Sequence, residues 1–333
     1  MTASSMRALL IESANAPFIS QQIPRPIAGP GQVLVEIVAS GVNPLDTKIR
    51  AGAAAHAKHP FPAVLGMDLA GVVSSIGAGV ERFRVGDEVY GLTGGVGGLQ
   101  GSLAEFAAVD TDLLALKPAN LSMHEAAALP LIAITAWEGL VDRARTGPDQ
   151  KVLVHGGAGG VGHIAVQIAK ALGAEVYATA SKADAETVRR FGATPIDYAG
   201  KSVEEYVAEH TGGEGFDVIY DTVGGPVLDA SFKAVRAYVG HVVSCLGWGT
   251  HALAPLSFKA ATYSGVFTLI PMLTNQGRAH HGHILEEIAK LVESGRLVPL
   301  MDPRRYTLDT AEAAHHEVAA GRARGKIVVD VRP

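Results

Sequence analysis

The chain has 333 residues, long for one hydrophobic core, so two domains are expected. Apolar residues make up 48% and charged residues 18%, which excludes a disordered chain. The net charge of −5 with dispersed Lys and Arg excludes a basic stripe for nucleic acid, and the single cysteine, Cys245, excludes an intrachain disulfide and a cysteine-rich zinc site.

The N-terminal MTASSMRALLIES holds a four-residue apolar run, too short for a signal peptide, and no stretch reaches the roughly 18 apolar residues of a membrane helix. A cytoplasmic protein is expected. Residues up to about 125 read as β-rich. VLVEIVASGV (33–42) and AVLGMDLAGVVSSIG (63–77) are β-branched runs bounded by Gly and Pro turns, as in an antiparallel sheet or partly closed barrel. Residues 91–101, GLTGGVGGLQG, contain six glycines and read as a flexible loop, with nothing to decide whether it closes over a ligand.

From Lys151 the pattern becomes strand alternating with helix. VLVH (152–155) is a short apolar strand, and Val161, Ile164, Ala165, Ile168, Ala169 and Leu172 then share one helix face. Gly173 stops that helix, and strands follow at 175–179, 195–198, 216–221 and 241–245. This alternation predicts a doubly wound parallel α/β sheet. Beyond about Ser264, SGVFTLIPML reads as one more strand, 283–293 as an amphipathic helix, 310–320 as a helix and KIVVDV as a terminal strand.

The turn after the first of these strands carries Gly157-x-Gly159-x-x-Gly162. The first glycine serves the tight turn, the second the approach of backbone to a pyrophosphate, and the third close packing of helix on sheet. The diphosphate then rests on unpaired helix N–H groups. NAD sites place an acid about 20 residues on, to hold the ribose 2′-OH. Here that region reads Tyr177-Ala-Thr-Ala-Ser-Lys-Ala183, without an acid, and Ser181 and Lys182 suit a 2′-phosphate instead. NADP(H) is the expected cofactor.

Several further motifs carry a resemblance. SGVNPLDTKIRAG (40–52), LGMDLAGVV (65–73), RVGDEVYG (84–91), LPLIAITAWEGL (129–140), DTVGG (221–225) and the ending GKIVVDV fall in an order that resembles the medium-chain dehydrogenase/reductases. Zinc alcohol dehydrogenases of that superfamily need Cys where this chain has Asn43 and His-Glu where it has Met67-Asp68. Their cysteine-rich structural zinc lobe is absent, so the chain is similar to the zinc-independent, zeta-crystallin-like quinone oxidoreductases.

The resemblance implies a Rossmann-type sheet (126–268) joined to a β-rich GroES-like catalytic domain (1–125), to which the C-terminal segment (269–333) returns. It implies NADPH in a cleft between the domains and hydride transfer to a quinone or α,β-unsaturated carbonyl. An enoyl thioester or another carbonyl acceptor, or NADPH binding with low turnover, stays open beside it. Gly157, Gly159, Gly160, Val161 and Gly162 would serve the diphosphate, and Ser181, Lys182 and Tyr198 the 2′-phosphate. Val223, Leu246, Phe267 and Lys326 would complete the cofactor contacts, with Asn43 and Thr135 near the nicotinamide. Relatives often carry an aromatic residue at Lys48, so the usual quinone pocket is altered here. The resemblance also implies a homodimer paired along SGVFTLIPML, an apolar strand that would be a liability if exposed.

Enone reduction needs a donor at the developing enolate oxygen and then a proton. Asn43 is a candidate amide donor or else a turn former before Pro44. Lys48 is a candidate charge or proton source or a plain surface lysine, and Asp46 braces the loop. Asp68 and Asp87 read as turn-fixing residues, His280, His281 and His283 as a solvated helix start, and Cys245 as inert packing.

Overall fold

The computed structural model describes residues 4–332, so the first three residues of the N-terminal segment lie outside it. Its early strands are β1 (Ser5–Ile11), β2 (Ile19–Pro24), β3 (Gln32–Val42), β4 (Ala63–Val64), β5 (Asp68–Ile76), β6 (Glu88–Leu92), β7 (Phe106–Asp110) and β8 (Leu114–Leu116). The later ones are β9 (Lys151–His155), β10 (Glu175–Ala180), β11 (Thr194–Asp197), β12 (Val218–Asp221), β13 (His241–Ser244), β14 (Thr262–Gly265), β15 (Tyr306–Thr307) and β16 (Ile327–Asp330). The chain divides into two compact units. One comprises the residues up to Leu131, Leu269–Gly295 and those from Pro299 onward; the other is Ile132–Thr268 with Arg296–Val298.

The first unit is built on a seven-stranded sheet in the order β15-β16-β3-β5-β6-β8, with β7 also on β3, and a three-stranded sheet β2-β1-β4. The β-branched run of β3 buries Val33, Val35 and Ile37 completely, and Leu69 and Val89 do the same on β5 and β6. The terminal strand β16 is antiparallel to β3, with Ile327 opposite Val42. That register brings Lys326, one residue before β16, to Asn43, one residue after β3.

Residues 91–101 are not the slack loop their glycines suggest. Gly91 and Leu92 belong to β6, and Thr93 to Val96 are buried. Gly95, Gly97 and Gly101 donate to the carbonyls of Leu99, Ala57 and Val64. A Cβ on Gly101 would lie 2.3 Å from the Leu65 carbonyl, so glycine here permits two backbones to touch rather than supplying flexibility. The histidine cluster also differs from a solvated helix start. The helix runs Arg278–Glu293, His281 is fully buried, and Tyr90 fastens the helix by donating to the Leu285 carbonyl at 2.6 Å.

The second unit is a parallel sheet in the order β11-β10-β9-β12-β13-β14, with every adjacent pair parallel. The order reverses between β9 and β12, the place where doubly wound sheets bind their ligands at strand carboxyl ends. Apolar side chains including Leu153, Ile219, Phe216, Phe232 and Tyr206 form one core cluster. SGVFTLIPML is only partly strand. β14 ends at Gly265, and Ile270–Thr274 is a short helix whose Pro271 sits in the first turn, where a fixed φ and missing N–H cost nothing.

Candidate functional site

In the second unit the glycine-rich turn leaves β9 and enters the helix Gly160–Ala171. The residue in the left-handed region is Gly156 (φ 74°), so the tight turn expected of Gly157 belongs to its neighbour. A Cβ on Gly157 would lie 2.4 Å from that of Ala178, so Gly157 lets the turn lie against β10. A Cβ on Gly162 would lie 2.0 Å from the Gly156 carbonyl, so this third glycine packs the helix on the turn, not on the sheet. Gly159 caps the helix without a side-chain hydrogen bond, and Gly159 and Gly160 are exposed. The first-turn N–H groups from Gly160 and Val161 have no acceptor within the helix. A diphosphate fits this cradle: its donors are backbone, Gly159 and Gly160 present no side chain at the exposed turn, and the helix dipole favours negative charge.

His155 ends β9 with its Nδ1 3.2 Å from Thr179 Oγ1, and Thr179 in turn accepts from the Gly156 N–H at 3.0 Å. Burial pushes the His155 imidazole down to about 4, so it supports the turn as a neutral ring. The loop after β12 is held by Asp221, whose carboxylate accepts from the Val223 and Gly224 N–H groups and from the Ser244 hydroxyl. Val223 is exposed in that loop. Leu246 is half-buried just beyond β13, and Phe267, two residues beyond β14, packs edge-on to Trp248. Every residue assigned to the cofactor from this unit thus lies at a strand's carboxyl end. Thr135 is buried, with its hydroxyl 3.1 Å from that of Thr268, and its carbonyl accepts from Tyr220.

At the ends of β10 and β11 two acids stand beside the donors Ser181 and Lys182: Asp184, just past the stretch Tyr177–Ala183, and Asp197, from the neighbouring strand. Ser181 Oγ donates to Asp184 Oδ2 at 2.6 Å, and Lys182 Nζ is 3.7 Å from Asp197 Oδ2. Lys182 and Tyr198 are otherwise open to solvent. Cys245 lies one residue beyond β13 and half-buried. Burial and the Asp221 carboxylate push its thiol up to about 12, which leaves it unreactive.

The first unit carries a buried polar cluster. Asn43 is fully buried. Its Nδ2 donates to Asp68 Oδ2 at 2.8 Å and its Oδ1 accepts from Lys326 Nζ. Lys326 also donates to the Val42 carbonyl at 3.2 Å and lies 3.9 Å from Asp68. Asp68 Oδ1 accepts from the Leu131 N–H at 2.8 Å, so Asp68 is a hub and not merely a turn former. Asp46 accepts from the Asn43 N–H at 2.8 Å, while its Oδ1 is buried without a hydrogen-bond partner. Burial, aided by Asp68, pushes Asp46 up to about 7. Burial also raises Asp68, to about 6, against the pull of Lys326, whose own pKa burial lowers. Lys48 is exposed on the helix Pro44–Arg50, apart from this cluster, and Asp87 accepts from the Arg84 N–H as a turn residue.

A catalytic zinc does not fit here. Asn43 has both amide atoms engaged, Met67 offers a buried thioether, and Asp68 is committed to three partners. Among the described residues no group of three or more His, Cys, Asp or Glu is placed to hold a metal ion. Nor, among them, is any helix long and apolar enough to cross a membrane.

Residues 29–119 match the alcohol dehydrogenase GroES-like domain family and residues 191–329 a family described as zinc-binding dehydrogenase. A 2-methylene-furan-3-one reductase of Solanum lycopersicum is 37% identical over 91% of this chain and 72% of its own length. An NADPH-dependent alkenal/one oxidoreductase of Arabidopsis thaliana, a chloroplastic protein, is 35% identical over 90% of this chain and 72% of its own length. The solved structure of an alcohol dehydrogenase superfamily protein from Novosphingobium aromaticivorans is 60% identical, with a TM-score of 0.96 over 98% of this chain and 100% of that one.

Proposed function

The chain belongs to the medium-chain dehydrogenase/reductases, in their quinone oxidoreductase-like family, and uses NADP(H); from that premise we infer a zinc-independent reductase of quinones or α,β-unsaturated carbonyls. The observation that carries this reading is the Asn43–Asp68–Lys326 cluster, an ammonium held by an amide and a carboxylate where zinc enzymes place metal ligands.

The bound nicotinamide supplies a hydride. The protein's part is to hold and to polarise. The N–H groups of Gly160 and Val161 take the diphosphate at the turn shaped by Gly157, Gly159 and Gly162, and Ser181, Lys182 and Tyr198 surround the 2′-phosphate. Val223, Leu246 and Phe267 border the remaining cofactor, with Thr135 at the nicotinamide end. In the first unit Asn43 holds the cluster together, its Oδ1 accepting from Lys326 and one of its two Nδ2 hydrogens going to Asp68, which leaves a second amide N–H as the candidate donor to an enolate oxygen. Asp46 fixes Asn43 through the backbone. Lys326, itself buried and bonded to Asn43 and the Val42 carbonyl, would bring its positive charge to the cofactor from the C-terminal return. Lys48 stays a solvated side chain.

We also infer a homodimer. β14 has β13 on one side only and exposes Tyr263, and an unpaired parallel-sheet edge favours a second strand. Sedimentation at micromolar protein would show the dimer, and a strictly monomeric boundary would refute it.

The decisive assay is NADPH oxidation against a panel of ortho- and para-quinones and conjugated enones, with NADH in parallel and zinc chelated throughout. Turnover that prefers NADPH and survives chelation supports the reading. Turnover lost on chelation and restored by zinc would overturn it.

A further inference from the structure

The two strand ends to which the 2′-phosphate is assigned, those of β10 and β11, carry more negative than positive charge. The register of β10 on β11 sets Ala180 beside Asp197, so the residue that ends β11 stands next to the segment Ser181–Lys182. Asp197 is held there firmly. Its Oδ1 accepts from the Ala199 N–H at 3.1 Å, closing a turn, and its Oδ2 is left toward Lys182 Nζ at 3.7 Å. Three-quarters of the Asp197 side chain is shielded from solvent, whereas Lys182 is 88% exposed. Ser181 is likewise bound to Asp184. Both donors suited to a 2′-phosphate are therefore already paired with carboxylates, and Lys182, Asp184 and Asp197 sum to one negative charge.

We propose that Asp197 is a specificity-determining residue that limits the preference for NADPH over NADH, because its carboxylate competes with the 2′-phosphate for Lys182. The inference rests on the assignment of the 2′-phosphate to Ser181, Lys182 and Tyr198. An anion gripped by Lys182 lies within about one Debye length, ~8 Å at physiological salt, of the Asp197 charge, so the repulsion is only partly screened. It acts on the phosphorylated cofactor alone, since NADH has no charge at that position.

The test is Asp197→Asn, which keeps the acceptor for the Ala199 N–H and removes the charge. Dissociation constants for NADPH and NADH are read by fluorescence titration of the whole protein at two salt concentrations, beside a thermal melt. The expected result is NADPH binding about threefold tighter, a gain that shrinks as salt rises, with NADH binding and melting temperature unchanged. Unchanged or weaker NADPH binding would overturn the inference, the latter by making Asp197 an aid that orients Lys182. Lys182→Glu separates the two layers. If it weakens NADPH strongly and spares NADH while Asp197→Asn has no effect, only the role of Asp197 fails. If it leaves NADPH binding unchanged, the placement of the 2′-phosphate fails and the inference with it.

Discussion

Replacing Lys326 by Met tests whether the buried cluster is a coupled unit. Met matches the length of the side chain but removes the ammonium that Asn43 Oδ1, the Val42 carbonyl and Asp68 now share. At 3.9 Å and an effective dielectric of about 20, the attraction between Lys326 and Asp68 is ~4 kcal/mol. Burial has already raised Asp68 to about 6, and Lys326 is the largest influence holding it down. Without it burial pushes Asp68 further up and favours its neutral form, which holds the penalty near the lower end of the ~3–5 kcal/mol known for breaking a buried pair. A loss of ~3 kcal/mol corresponds to a fall of about 6–12 °C in melting temperature for a unit of this size. Circular dichroism melts at pH 7.5 of Lys326→Met and of Asp68→Asn/Lys326→Met give the measurement. The double variant, with no carboxyl left to strand, is expected to recover at least half of the loss. A single variant melting within about 2 °C of the parent, or a double variant no more stable than the single, would refute the coupling.

Asp46 sets a pH dependence with a definite sign. Its folded-state value of about 7 lies above the ordinary 3.8, so its contribution to stability is fully present below about pH 4 and is lost as pH rises through 7. Asp46→Asn escapes that loss, and its stability relative to the parent in urea melts is expected to grow between pH 5 and 8 by ~1–4 kcal/mol; a pH-independent difference would contradict this. The glycines of the turn divide by task. Gly162→Ala drives a Cβ to 2.0 Å from the Gly156 carbonyl and is expected to cost ~1–3 kcal/mol in thermal or urea melts. Gly159→Ala meets the same atom at 3.1 Å, so it should melt near the parent while weakening NADPH severalfold in a binding titration. Equal effects of the two on stability would show that the roles are not separate.

The nucleotide-binding half was readable because its signals are local. The glycine spacing, the apolar face from Val161 to Leu172 and the strand alternation each fall within a few residues of the chain. The polar cluster was readable only as separate letters. Asn43, Asp68 and Lys326 are joined by the antiparallel register of β3 with β5 and β16, and no local pattern announces that Lys326 will be spent on Asn43. The same holds for Asp197, fifteen residues beyond Lys182 in the chain and brought to it only by the pairing of β11 with β10. Composition misled at residues 91–101, where glycine signified close backbone contact instead of freedom. At Ile270–Thr274 an apolar β-like run yielded to Pro271, which seeds a helical turn.

The placement of β16 imposes an order on assembly. Residues 132–268, almost the whole of the second unit, are contiguous, so that sheet can close as soon as they leave the ribosome. The first unit cannot. The seven-stranded sheet lacks β15 and β16 until the last thirty or so residues are made, and joining β16 to β3 closes a very long loop, the slow kind of contact. In the interval β7 already covers the first half of that edge of β3, but the stretch Ala39–Val42 lacks its partner, and Asn43 and Asp68 await their ammonium. By topology alone, then, the second unit can be complete while the first is still an open sheet, and the polar cluster is among the last parts of the protein to form.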